Sequence, residues 1–228
     1  MIGSSSTLPP DQAVLQDLLH VLSQPLTTLH CALEHSLEAD ESAQSSDVAL
    51  ALEQTDRVIE AVRLMREYLE AEDGCFLAEP FPLGLAIENV LEQSSVLAEA
   101  RGVSLFAYGT SRAAIPVADA WVQRALFHLF AWLLENTSAG HAVVVTLEDG
   151  PSQSVISVHS LPADESSALP QSAVPRRSNT LQQVKLAIAQ RVLASSGGSV
   201  ELYAGEKPGF AIRIPQTQAV SRINQLTA

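Results

Sequence analysis

The sequence predicts an α+β protein, an antiparallel helical hairpin followed by an α/β sandwich with one sheet and its helices on one face. Three observations carry this. Leu15, Leu18, Leu22, Leu26, Leu29 and Leu33 recur at three- and four-residue steps, one continuous helical stripe. Val48, Leu52, Thr55, Ile59, Val62, Met65 and Leu69 form a second such stripe. Beyond Gly74, β-rich runs at 103–108, 142–147, 154–158, 199–203 and 210–214 are interleaved with helical stretches, the pattern of a sheet layered with helices.

Taken in order, Pro9-Pro10-Asp11 sets the first helix start, with Asp11 as N-cap. The stripe ends near Leu37, and the small, polar residues 39–46 read as the hairpin connection. Asp47 is placed to cap the second helix, and Asp73-Gly74 stops it. A lone hairpin cannot bury two apolar stripes. Pairing with a second copy into a four-helix bundle solves this, so a homodimer is expected. Pro80-Phe81-Pro82-Leu83 opens a third helix over 84–100, stopped by Arg101-Gly102. A further helix covers 118–135, and Asp149-Gly150 marks a hairpin between two strands. Residues 160–180 are Ser/Pro-rich with Arg176-Arg177, a loop, and the last helix, 181–196, is closed by Gly197-Gly198. The expected organisation is a loose segment 1–10, a hairpin 11–74, a sandwich domain 75–216 and a flexible tail 217–228.

Composition narrows the partners. The 228 residues are 46% hydrophobic but only 5% aromatic, so the core is aliphatic, and the net charge is −13. That charge argues against nucleic acid, whose phosphates need a basic face, and against anionic membrane surfaces. No run of eighteen apolar residues exists to span a bilayer, and the N-terminal residues lack the basic start and apolar core of a signal peptide. Cys31 and Cys75 suit no metal-ligand spacing and are read as reduced packing residues. A cytoplasmic protein is expected.

The chemistry concentrates in Leu19-His20-Val21-Leu22-Ser23-Gln24-Pro25-Leu26-Thr27. A helix-interior proline removes a backbone hydrogen bond and clashes with the preceding turn, at about 3 kcal/mol or more. Retaining one implies a local kink or bulge beside which the ring of His20 stands clear of the backbone. The spacing resembles the phosphoacceptor box of two-component histidine kinases, His-Glu-x-x-[Thr/Asn]-Pro-Leu, with Val21 in place of the acid. Downstream, Leu186-Ala-Ile-Ala-Gln-Arg191 running into Gly197-Gly198-Ser-Val-Glu-Leu202, then Phe210 to Pro215, resembles the ATP-binding (GHKL-type) domain of the same family. The resemblance covers residues 11–215.

Where that fold carries its ligands, this chain departs from the pattern. Two asparagines four apart on a helix face the nucleotide in the family, one of them on Mg²⁺. Aligning Arg124-Ala-Leu puts His128 and Trp132 at those positions; the alternative register, using Asn136, leaves almost no residues before the next strand. The adenine-reading Asp-x-Gly-x-Gly is matched by His159, Leu161 and Ala163, and the glycines of the phosphate-cradling Gly-x-Gly-Leu by Gln183 and Lys185. The resemblance therefore implies the scaffold without the ligands: neither ATP nor Mg²⁺ is expected to bind in the family mode. His128 and His159, with no third ligand evident, read as polar residues plugging the emptied pocket.

On this reading His20 is the phosphoacceptor, Gln24 stands where kinases with phosphatase activity orient a water but reads first as a solvated surface residue, and Val21, Ser23, Pro25 and Thr27 face a partner. In kinases the acid beside the histidine is a general base for autophosphorylation. Its loss favours transfer to and from an already activated aspartyl phosphate. The expected function is a histidine phosphotransfer protein relaying phosphoryl groups between response-regulator receiver domains, with a hybrid kinase as a possible further partner. A non-catalytic pseudokinase scaffold is the alternative, and a residual kinase the third. His30 and His35 read as surface or packing residues. Glu67, Glu70, Glu72 and Asp73 read as a solvated helix end, and Lys185 with Arg176-Arg177 as solvated loop charges.

Overall fold

The computed structural model describes residues 10–38, 41–73, 80–162, 180–203 and 207–215. The chain divides into two compact units, residues 1–73 with 177–188, and residues 74–176 with 189–228.

The first unit is built on two long helices, α1 (Pro10–Glu38) and α2 (Glu41–Asp73). Pro25 sits inside α1, which runs unbroken through it. The second helix begins six residues earlier than Asp47, because Glu41-Ser-Ala-Gln44 contains no helix breaker and opens with an acid. Asp47 is therefore not an N-cap. It lies within α2, and its Oδ2 is 2.8 Å from His35 Nδ1, pinning α1 to α2 near their connection. The hairpin seam is narrow. Leu18, Pro25 and Ala32 on α1 and Ala51, Ala61, Leu64, Tyr68 and Ala71 on α2 are buried.

The bulkier aliphatic residues remain outside it. Leu26, Leu33, Val48, Val62 and Leu69 are exposed, and Leu52 and Ile59 are 63% and 60% exposed. Most members of the two predicted stripes thus lie outside the seam. Glu67 corrects an expectation: it is 5% exposed, with Arg63 Nη1 3.8 Å from its carboxylate, and is not part of a solvated helix end. Cys31 corrects another, being exposed rather than packed. Cys75 and Arg176-Arg177 lie outside the described residues.

The second unit holds α3 (Leu83–Ala100), α4 (Asp119–Asn136) and a five-stranded sheet. Its strands are β2 (Ser104–Gly109), β4 (His141–Asp149), β5 (Gln153–Pro162), β6 (Ser199–Tyr203) and β7 (Gly209–Pro215), in spatial order β2-β4-β5-β7-β6. The β2–β4 pair is parallel and the others antiparallel. A two-residue ladder unforeseen in the sequence joins β1 (Phe81–Pro82) to β3 (Ala114–Ile115), where the prolines at 80 and 82 obscure any alternation. The last helix, α5 (Thr180–Ser195), contributes its residues from Ala189 onward to this unit.

Period-two alternation sorts the sheet into two faces. Val143, Val145 and Leu147 on β4, Ile156 and Val158 on β5, and Phe210, Ile212 and Ile214 on β7 are buried on one face. Val90, Leu126, Phe130 and Leu133 of α3 and α4 are buried as well. Each such side chain stabilises the fold by about 1.5–3 kcal/mol. At the centre, the Phe130 and Phe210 rings meet edge to face, centroids 5.5 Å apart and planes at 84°. Gly109 ends β2 at φ +85°, where a Cβ would fall 2.3 Å from the Leu147 carbonyl oxygen, so only glycine fits.

The β4–β5 hairpin is tied to the segment after β2 by Asp149. Its carboxylate accepts from Arg112 N at 2.8 Å, Ser111 Oγ at 2.6 Å and Ser154 Oγ at 2.6 Å. The Arg112 amide first, then the two hydroxyls, hold the carboxyl below its ordinary range. A depressed carboxyl contributes stability that is present above the unfolded-state value, about pH 4, and lost as pH falls through the folded-state value. Thermal melts are expected to show the wild-type chain more stable than Asp149→Asn near neutrality, the difference shrinking as pH drops below about 4. A difference independent of pH would refute this role.

Candidate functional site

The candidate site is the exposed surface of α1 around His20. Residues four apart on a helix share a face, so His20 and Gln24 are neighbours. Both are exposed, and the Gln24 side-chain amide donates to His20 Nε2 at 3.1 Å. An amide nitrogen is only a donor, so Nε2 must be the ring's acceptor nitrogen. Val21, at the position of the family's acid, is half-buried and offers the ring no polar group. Pro25 faces the buried seam, one turn beyond His20.

Hydroxyls cluster about the proline. Ser23 Oγ donates to the Leu19 carbonyl at 2.8 Å, Thr27 Oγ1 to that of Ser23 at 2.9 Å, and Thr28 Oγ1 to that of Gln24 at 3.1 Å. Serine and threonine hydroxyls inside a helix bond the carbonyl one turn back in this way, and here they do so while α1 continues unbroken through Pro25. His20, Ser23, Gln24 and Thr27 are thus brought together on one exposed surface, with Val21 at its margin and Pro25 beneath. His30 and His35 are exposed on the same helix, paired with Glu34 at 3.4 Å and Asp47 at 2.8 Å.

The nucleotide-box positions fall elsewhere in the chain. His128 is buried, 4% exposed, and Trp132 one turn on is half-buried, its carbonyl accepting from Asn136 Nδ2 at 2.7 Å. His159 needs correction. It pairs with Gly209 and lies on the sheet face opposite Ile156 and Val158, where its ring stacks on Tyr203 at 5.7 Å and 20°. It is therefore not a plug in the core-side pocket. Gly209 makes the stack possible, since a Cβ there would come within 2.9 Å of His159 Nδ1.

The side chain turned inward with Ile156 and Val158 is Ser160, fully buried, its Oγ 3.2 Å from His141 Nδ1. Strict alternation from Val158 was the signal that identifies Ser160. One residue's step along a strand reverses the face, so His159 and Ser160 point to opposite sides of the sheet. Leu161 is exposed at the strand end, and Ala163 lies outside the described residues. Gln183 is exposed. Lys185 is not a solvated charge: its Nζ lies 3.0 Å from Glu60 Oε1 in the first unit, both side chains 30% exposed. Partial burial pushes the Glu60 carboxyl up, but Lys185 and Arg63 outweigh it and hold the carboxyl below the usual range.

No protein-family model matches the sequence, and no curated protein does. Solved structures do. The Acinetobacter baumannii histidine kinase AdeS superposes with a TM-score of 0.62 at 16% identity, over 87% of this chain and 98% of that one. ThkA, solved in complex with the response regulator TrrA, gives 0.63 at 16% identity, over 90% of this chain and 61% of its own. Full-length ShkA gives 0.55 at 16% identity, over 91% of this chain and 46% of its own.

The fold is that of the histidine-kinase core. The hairpin and the mixed sheet with its helices correspond to the two parts of that core. A magnesium site needs oxygen ligands in octahedral array. His128 and Trp132 carry a buried imidazole and a half-buried indole, neither with an oxygen donor, and the inward residue of β5, Ser160, carries a hydroxyl. Among the described residues, no helix is long and apolar enough to cross a membrane.

Proposed function

We propose that this chain is a histidine phosphotransfer protein of a two-component phosphorelay, carrying the phosphoryl group on His20. The observation that carries this reading is an exposed imidazole with Nε2 as acceptor, one turn from a buried proline, in a kinase-like fold whose nucleotide positions lack the family's ligands. In the transfer, the Nε2 lone pair attacks the phosphorus of a receiver-domain aspartyl phosphate in line. A P–N bond forms as the P–O bond to the aspartate breaks, and the bonding pair leaves with the carboxylate. Nε2 carries no proton, so nothing need be removed from the nucleophile. The receiver supplies the activated phosphoryl group, which makes an acid beside His20 dispensable.

Receiver domains are the proposed partners, supported by ThkA, a kinase of this fold solved with a response regulator. A hybrid kinase carrying such a domain fits the same role. The test is incubation with a phosphorylated receiver. Label on this protein that is acid-labile and alkali-stable, as a phosphoramidate is, supports the reading; no label from any receiver refutes it.

Homodimerisation belongs to the same proposal. The exposed aliphatic residues Leu26, Leu33, Leu52, Ile59, Val62 and Leu69 exceed what an isolated hairpin leaves in water. Pairing two hairpins would cover them. Sedimentation equilibrium is expected to give twice the 24.3 kDa chain mass, and a monomer at micromolar concentration would overturn it. Val21 favours one other reading, a binding scaffold without phosphotransfer, because it removes the acid that orients the ring in kinases. Such a scaffold would bind a receiver equally well without His20.

A further inference from the structure

A phosphoacceptor histidine needs a defined tautomer, since only the unprotonated ring nitrogen is nucleophilic. In the kinase box that resembles this one, the acid adjacent to the histidine hydrogen-bonds the imidazole; here that position is Val21, half-buried and apolar. The hydrogen bond to the His20 ring comes instead from one turn further along, where the Gln24 amide donates to Nε2 at 3.1 Å. We infer that Gln24 is the positioning residue of His20, holding the ring proton on Nδ1 and marking Nε2 as the phosphorus-attacking nitrogen.

The chemistry is one-sided. A neutral imidazole has one N–H and one lone pair, and the side-chain amide nitrogen has only N–H groups to offer. Their contact at Nε2 is satisfied only when Nε2 holds the lone pair. An unconstrained histidine side chain favours the opposite tautomer, with the proton on Nε2, so the Gln24 bond works against the ring's own preference. The backbone supports this placement. Gln24 is at i+4 from His20, immediately before Pro25, and its carbonyl is held by Thr28 Oγ1 at 3.1 Å. Ser23 and Thr27 direct their hydroxyls to backbone carbonyls and leave the ring to Gln24.

The same geometry has a consequence for the reaction. The amide N–H occupies the lone pair in the resting protein, so an incoming phosphoryl group must displace it. Once Nε2 bonds phosphorus, the displaced amide remains one helical turn away, within reach of a phosphoryl oxygen. Gln24 thereby acts before the transfer by choosing the nitrogen, and after it as a donor to the new anion.

This inference rests on the phosphotransfer reading for its purpose, though its primary test does not. Histidine-selective ¹⁵N NMR of the full chain reports the protonation of each ring nitrogen, and His20→Asn assigns the signal among the six histidines. The wild-type protein is expected to show Nδ1–H as the major neutral tautomer. Gln24→Ala should move the ratio toward Nε2–H by roughly two- to tenfold, the range a single hydrogen bond supplies. Gln24→Glu, the same size but an acceptor, should put the proton on Nε2 and slow phosphoryl acceptance more than alanine does. Because Gln24 is exposed, a merely structural role would leave the ring spectrum of both variants unchanged, and that result would overturn the inference. If the tautomers shift as stated while no variant or wild type accepts phosphate, the positioning role stands and the phosphotransfer function falls.

Discussion

Replacing His20 by alanine is expected to reduce labelling from a phosphorylated receiver domain by roughly a thousandfold or more, the scale of losing a sole nucleophile. The other histidines are placed differently, and His141 is half-buried on the sheet with its Nδ1 3.2 Å from Ser160 Oγ. His30 and His35 lie on the same helix, but each is engaged by a carboxylate, and neither stands one turn before the proline. His128 is buried, and His159 is stacked against Tyr203 on the sheet. Because His20 is exposed, its removal should change folding stability by no more than about 0.5 kcal/mol, so a lost signal reports chemistry and not unfolding. The companion measurement is binding. Receiver affinity that survives His20→Ala together with lost label is the signature of phosphotransfer. Undiminished label on the alanine protein would eliminate His20 as the acceptor. Restoring the acid with Val21→Glu is not expected to create ATP-driven labelling, because His128 and Trp132 offer a magnesium ion no oxygen ligand.

The largest effect on stability is expected at Phe130. It is completely buried on α4, and its ring meets Phe210 edge to face at 5.5 Å. Phe130→Ala removes the transfer free energy of the ring and leaves a cavity among close-packed aliphatic neighbours, together costing about 3–5 kcal/mol. The edge-to-face term accounts for about 1 kcal/mol of this beyond area alone. For a chain of this size the sheet-bearing unit should melt roughly 10 °C lower. Phe130→Leu, which keeps most of the volume, should recover more than half of the loss. Equal loss in the leucine and alanine variants would mean that ring geometry, not volume, governs the site.

Several elements were legible because a local rule determined them. The long apolar stripes of 15–33 and 48–69 determined two helices, and Arg101-Gly102 and Gly197-Gly198 determined where later helices stop, since those signals act within a few residues. The β4–β5 turn was written in Asp149-Gly150 for the same reason. The start of α2 was misread because Asp47 looks like a cap, and no local signal says that its carboxylate will bond His35 across the hairpin instead. The β1–β3 ladder escaped because two-residue pairings have no period to detect.

The His20 site divides along the same line. The sequence alone determined that a histidine stands five residues before a helix-interior proline, with valine where an acid belongs, because those are covalent facts of spacing. It also determined that His128 and Trp132 stand four residues apart on one helix. Only the tertiary structure decided that the Gln24 amide occupies Nε2 and that Pro25 faces the seam while His20 faces water. It alone decided which residues close the hairpin, Leu18, Ala32, Ala51, Ala61, Leu64, Tyr68 and Ala71 being buried while Leu26, Leu33, Leu52 and Ile59 are exposed. It also placed Ser160, and not His159, on the inward face of β5. The physical reason is common to these cases. Which face of a helix or strand is buried depends on what packs against it, and a shift of one residue in a strand reverses the answer.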